Sequence, residues 1–164
     1  MRFSSFIEAP MRRALAVLAV CAAGLLAACA DKPPPPATLD LTINAAPSIN
    51  PSLDNRPSPV SVRVYELTSL ANFQGAPFFN LLEGDTGALG AELMGKEEVI
   101  IPPGGTRAVK KELKPTTRFI GLVAFFRDYE RGIWRAQATV KPNADNKLVA
   151  EVQTRSIAVT EAPK

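Results

Sequence analysis

The chain has 164 residues, with 19 Lys and Arg against 16 Asp and Glu, two Cys, fifteen Pro and no His. Without histidine, His-dependent catalytic triads and His-ligated metal sites drop out. No basic stripe with interleaved aromatics argues for nucleic acid.

The first element is a targeting segment. Met11-Arg12-Arg13 precedes Ala14 to Ala28, which is almost entirely Ala, Leu and Val. A positive start and an apolar run of about 15 residues ending in small side chains is the pattern of a secretory signal. It is shorter than the about 20 residues of a bilayer-spanning helix. Leu26-Ala27-Ala28-Cys29 resembles the bacterial lipobox. That resemblance implies cleavage before Cys29, a diacylated sulfur and an acylated new amine. The plainer alternative makes Cys29 an ordinary residue of a cleaved signal. Cys21 is the poorer lipidation site because branched Val20 precedes it, and Met1 to Pro10 reads as an upstream extension before Met11.

Two or more acyl chains hold a protein stably on a bilayer. Aspartate directly after the cysteine favours inner-membrane retention; here Ala30 holds that position, which points to the outer membrane, periplasmic side. Pro33 to Pro36 favours polyproline II, at about 3.1 Å per residue, and reads as a spacer. Residues 1–28 are thus expected as signal peptide and 29–37 as lipidated cysteine and tether. Cleavage after Ala28 leaves 136 residues, one domain, with sixteen basic and fifteen acidic side chains and no cysteine after Cys29. No disulfide is available to it.

Along this domain, residues 38–160, apolar and polar residues alternate as in half-buried strands. Leu39, Leu41 and Ile43 form the first set, and Val60, Val62 and Val64 the second. Between them Ala45 to Pro59 is a loop with prolines at 47, 51, 57 and 59, and loops of this length are usually functional or disordered. The alternation then stops. Thr68 to Gly95 reads as a helical insert: a short helix capped by Thr68 or Ser69, a second opened by Pro77, and a weaker turn capped by Asp85. Strands resume over Glu97 to Ile101 and Thr106 to Leu113. Phe119 to Phe126 is apolar on both faces, as a central strand should be. Further strands run through Trp134 to Val140 and Leu148 to Val152, with Ile157 and Val159 as an extension. The fold class is mainly β, a two-sheet sandwich of seven or eight strands with a short helical insert after the second strand.

No catalytic constellation emerges. Glu97-Glu98 and Asp128/Glu130 are the close carboxylate pairs, and solvated charges at a strand edge and a turn account for them better than acid–base work. Ser48, Ser52 and Ser58 lack a basic partner nearby. Trp134 near Arg127 and Arg131 reads first as a core residue and second as a stacking platform. No metal, cofactor or small-molecule substrate is implied.

Several segments together resemble one family. They are RPSPVSVRVYELTSLANF (Arg56 to Phe73), PFFNLL (Pro77 to Leu82), IPPGGTR (Ile101 to Arg107) and FIGLVAFFRDYERGIWRA (Phe119 to Ala136). In their order and spacing they are similar to the outer-membrane lipoprotein of the type VI secretion system, the TssJ family. The resemblance implies a transthyretin-like β-sandwich and a non-enzymatic role. It implies binding to the periplasmic C-terminal region of the inner-membrane protein TssM and, through it, association with TssL. It makes the loop between the first two strands a partner contact. On that basis the expected contact residues are Ile49, Asn50, Leu53, Asp54, Asn55 and Arg56, since an exposed Ile or Leu beside Arg suits an interface anchor. Alternatively, Ile49 and Leu53 fold back over the sandwich edge. The rival function is a periplasmic lipoprotein that binds a small ligand or cell-wall component near Phe78, Phe79 and Trp134.

Overall fold

The computed structural model describes residues 34–163, so Cys29 and the signal segment lie outside the described residues. Among the described residues there are eight strands: β1 (Thr38–Ala45), β2 (Val60–Leu67), β3 (Leu93–Ile101), β4 (Thr106–Glu112), β5 (Phe119–Ala124), β6 (Arg135–Thr139), β7 (Asp145–Val152) and β8 (Ile157–Glu161). They form two four-stranded sheets, in the orders β4-β1-β7-β8 and β3-β2-β5-β6. β1 pairs antiparallel with β4 and parallel with β7. Two helices, α1 (Ala71–Gly75) and α2 (Phe78–Leu89), and a 3-10 turn at Gly90–Glu92 make up the insert.

Period-two alternation decides what faces inward. Leu39, Leu41 and Ile43 of β1 and Leu148, Ala150 and Val152 of β7 meet Val60, Val62 and Val64 of β2 and Ile120, Leu122 and Ala124 of β5 in one buried cluster. Each fully buried aliphatic side chain contributes about 1.5–3 kcal/mol. The outer faces of β2 and β5 are covered as well: Tyr65, Leu67 and Val123 pack with Phe73, Leu81 and Leu89 of the insert. The described domain therefore has three layers, and this explains why FIGLVAFF is apolar throughout. Strands buried on both faces lose the alternating pattern.

The insert departs from the sequence expectation in three respects. Neither Thr68 nor Ser69 caps α1; its N-cap position is Leu70, with no side-chain cap. The role falls to Glu92, twenty-two residues on. Its buried carboxylate accepts the backbone N–H groups of Asn72 and Phe73 and the Ser69 hydroxyl, supplying negative charge where a helix start needs it. A separate helical turn does begin at Asp85, where Gly84 (φ −148°, ψ 44°) breaks α2, but Asp85 does not cap it; its carboxylate turns inward to an ion cluster. β3 begins at Leu93 rather than Glu97, because Lys96, Gly95 and Leu93 find partners on Tyr65, Glu66 and Leu67 across a bulge. Pro77 does open the second helix, as its fixed φ of −63° allows. Ile157 and Val159 lie in a separate strand, β8, which folds back antiparallel on β7.

Candidate functional site

The chain leaves β1 at Ala45 and returns at Val60, and the fourteen residues between are held at their base by backbone bonds. Ala46 N–H donates to Val152 O at 2.8 Å, Asn50 N–H to Thr154 O at 3.0 Å, and Ser58 N–H to Ile49 O at 3.1 Å. Ile49 is fully buried among the core residues. Asn50 is 5 % exposed and adopts φ 44°, a left-handed conformation that Asn tolerates better than most residues. Its side chain joins two loops. Nδ2 donates to Pro59 O at 2.7 Å, and Oδ1 accepts the Arg127 N–H at 2.8 Å. Ile49 and Asn50 are buried and fix the loop to the sandwich. We expect Asn50→Ala to cost about 2 kcal/mol in chemical denaturation, from two unpaired buried backbone groups and a strained φ. A change below about 0.5 kcal/mol would contradict this.

Beyond Asn50 the loop turns tightly. Ser52 N–H donates to Arg56 O at 2.8 Å, Asn55 N–H to Ser52 O at 2.9 Å, and the Arg56 N–H to Ser52 Oγ at 3.2 Å. Asn55 supplies the left-handed residue of this turn, at φ 58°. These bonds lift Leu53 clear of the protein, so it is fully exposed. Asp54 and Arg56 are also exposed and pair at 3.5 Å. Four of the six expected contact residues, Leu53, Asp54, Asn55 and Arg56, thus form one protruding tip, and the other two form its foundation.

Sequence reasoning did not place what surrounds the tip. Arg127, Asp128 and Arg131, from the turn after β5, and Arg155, from the turn before β8, line an open groove against Leu53 and Asn55. The bond from the Arg131 guanidinium, helped by Arg155, holds the Asp128 carboxyl below the usual carboxylate range. Arg155 is twenty-four residues from Arg131 in sequence, and no local motif links them. The isolated bridge between Ile133 and Ser156 is what brings the two turns together.

The aromatic region is core only in part: Phe78 is buried, Trp134 is half-buried against both clusters, and Phe79 is 48 % exposed. Phe78 stacks on Tyr129 at 4.5 Å and meets Phe125 and Trp134 edge-on at 5.7 and 5.2 Å. Arg135, rather than Arg127 or Arg131, lies over the Trp134 ring, at 4.4 Å.

A family model described as "Type VI secretion lipoprotein, VasD, EvfM, TssJ" matches residues 37–155. The chain belongs to this family. The crystal structure of the type VI lipoprotein TssJ1 from Pseudomonas aeruginosa is 30 % identical to this TssJ-family chain, with TM-score 0.76, covering 79 % of this chain and 99 % of that one. Lip of Serratia marcescens, described as a membrane-bound component of the type VI secretion system, shares the fold at 19 % identity and TM-score 0.69, over 76 % of this chain and 97 % of Lip. A chain in the structure described as "T6SS protein TssM C-terminal domain (869-1107) from EAEC" matches at 28 % identity and TM-score 0.62, over 77 % and 98 %. No curated protein sequence matches the chain. The TssJ family is a family of membrane-anchored structural components of the secretion apparatus.

Proposed function

We propose that this TssJ-family lipoprotein is a non-enzymatic anchor. Three acyl chains on Cys29 fix it to the periplasmic face of the outer membrane. Its β1–β2 loop tip binds the periplasmic C-terminal region of a TssM-like inner-membrane protein, which links it indirectly to TssL. One observation carries the reading of the site: Leu53 stands fully exposed on a turn whose base is locked into the core. An apolar side chain offered on a rigid support loses little conformational entropy on binding, which favours an interface anchor.

The likeness to a chain in the TssM structure supports the choice of partner. That chain is almost wholly covered by 77 % of this one, so it is far shorter than the span 869–1107 that the description names. Such a length fits a lipoprotein-sized companion in that structure. A further match, at 29 % identity and TM-score 0.66, is to a chain of a structure described as a type VI membrane complex.

The test is binding of the lipoprotein in detergent to the TssM-like periplasmic region from the same genome. Leu53→Glu is expected to weaken it at least tenfold and to leave unfolding within about 0.5 kcal/mol, as for an exposed site. Full binding by the variant moves the contact elsewhere on the sandwich. No binding by the unaltered protein sinks the partner assignment.

A further inference from the structure

The groove beside the loop tip has a volume of about 270 Å³ and an unbalanced charge. Three guanidinium groups, those of Arg127, Arg131 and Arg155, line it with a single carboxylate, Asp128. Glu130, the other acid of the same turn, does not line the groove; its carboxylate accepts the Tyr129 hydroxyl at 3.3 Å. Asp54 is engaged with Arg56. Two positive charges are therefore in excess.

Two of the arginines are also positioned. Asp128 Oδ2 lies 2.9 Å from Arg131 Nη2 and 2.7 Å from Arg155 Nε, while Oδ1 accepts Arg131 Nε at 3.1 Å. A guanidinium has five N–H donors, so Arg131 and Arg155 keep donors beyond those turned toward Asp128. Both stay accessible, at 77 % and 41 % side-chain exposure. Arg127 contributes its backbone N–H to Asn50 and leaves its side chain exposed.

We propose that this groove receives a carboxylate side chain, Asp or Glu, from a partner segment that at the same time packs an apolar residue on Leu53. The proposal rests on the reading that the loop tip contacts the TssM-like protein, and it states the chemistry of what docks there. A fixed guanidinium fork matches a carboxylate in bidentate geometry better than an ammonium does. Because Asp128 already restrains two of the forks, less side-chain entropy is lost when the partner's carboxylate arrives. The phosphate of a lipid in the anchoring membrane fits less well. The groove lies at the far end of β1 from Thr38, where the chain comes from Cys29, and eight strand residues span roughly 25 Å.

The test measures binding of the full lipoprotein in detergent to the TssM-like periplasmic region at low and high salt, for Arg127→Glu, Arg131→Glu and Arg127→Lys. For the unaltered protein, affinity falls as salt rises. Arg127→Glu is expected to weaken binding about tenfold or more and to flatten that dependence, with an unchanged melting temperature. Arg127→Lys keeps the charge without the fork and falls between. If both reversals bind as the unaltered protein does, the groove proposal is overturned and the loop reading stands. If the unaltered protein does not bind, both fall together. Vesicles of phosphatidylglycerol captured in an Arg127-dependent way, while binding to the TssM-like region is unaffected, would reassign the groove to phosphate and overturn the proposal.

Discussion

Asp85→Ala is expected to destabilise the domain by about 3 kcal/mol, the usual effect of removing one member of a buried ion cluster. The Asp85 side chain is 6 % exposed and lies between the outer face of the second sheet and α2. Its Oδ2 accepts Arg63 Nη1 at 3.0 Å and the Tyr65 hydroxyl at 3.2 Å, and its Oδ1 accepts Lys96 Nζ at 2.7 Å. Arg63 also donates to Leu81 O at 2.7 Å and pairs with Glu98 at 2.7 Å. Alanine leaves a buried hydroxyl without its acceptor and Arg63 short of half its countercharge. Asp85→Asn keeps an acceptor and should lose less. Equilibrium urea unfolding decides: a loss under about 1 kcal/mol would show that the cluster is offset by its own desolvation.

The same cluster sets a pH dependence. Burial alone would raise the Asp85 carboxyl, but the bond from Lys96 and the charges of Arg63 and Lys96 outweigh it, so the net shift is downward. A carboxyl lowered in the folded state contributes stability that is present above its unfolded value, about 3.9, and is lost as pH falls through the folded value. The acid limb of the stability curve should therefore be shallower in Asp85→Ala than in the unaltered protein.

Gly121→Val is the second large effect, also about 3 kcal/mol, at the upper end of what overpacking costs. Gly121 lies in β5 on the face turned to the insert. A Cβ there would come within 2.8 Å of Phe73 Cε2 and Cζ and 2.9 Å of Leu67 Cδ1. The glycine is there for close approach: it lets the fully buried Phe73 ring of α1 settle directly on the sheet. Shortening the opposing ring should recover part of the loss, so Gly121→Val with Phe73→Leu is expected to be less destabilised than the sum of the two singles. Strict additivity would mean that the clash is relieved by movement elsewhere.

The sandwich was legible because its strands obey a local rule. Leu39, Leu41 and Ile43, or Val60, Val62 and Val64, announce a face by spacing alone, and the prolines between them mark the loop. The capping of α1 was not legible, because Glu92 reaches it through space and the sequence offered the nearer Ser69 as a better candidate. At the loop, Ile49 and Leu53 look alike in a sequence: two aliphatic residues among Pro, Asn and Ser. Tertiary contacts alone separate them, sending one into the core and the other into solvent. The arginine groove was hidden for a related reason, since Arg155 reaches Asp128, beside Arg131, only where Ser156 bridges to Ile133.

The pairing of β1 on both sides has a mechanical consequence. In the proposed complex the domain is pulled from the membrane side, through the residue before Thr38, and held at the loop beyond Ala45. The line of pull then runs along β1 itself. Seven residue pairs to β4 and eight to β7 lie along that line, and they bear load in shear, all sharing it at once. A strand pulled sideways from a sheet edge would instead unzip, with each pair failing in turn. The element that carries the chain from anchor to partner is the one whose rupture requires the most bonds to break together.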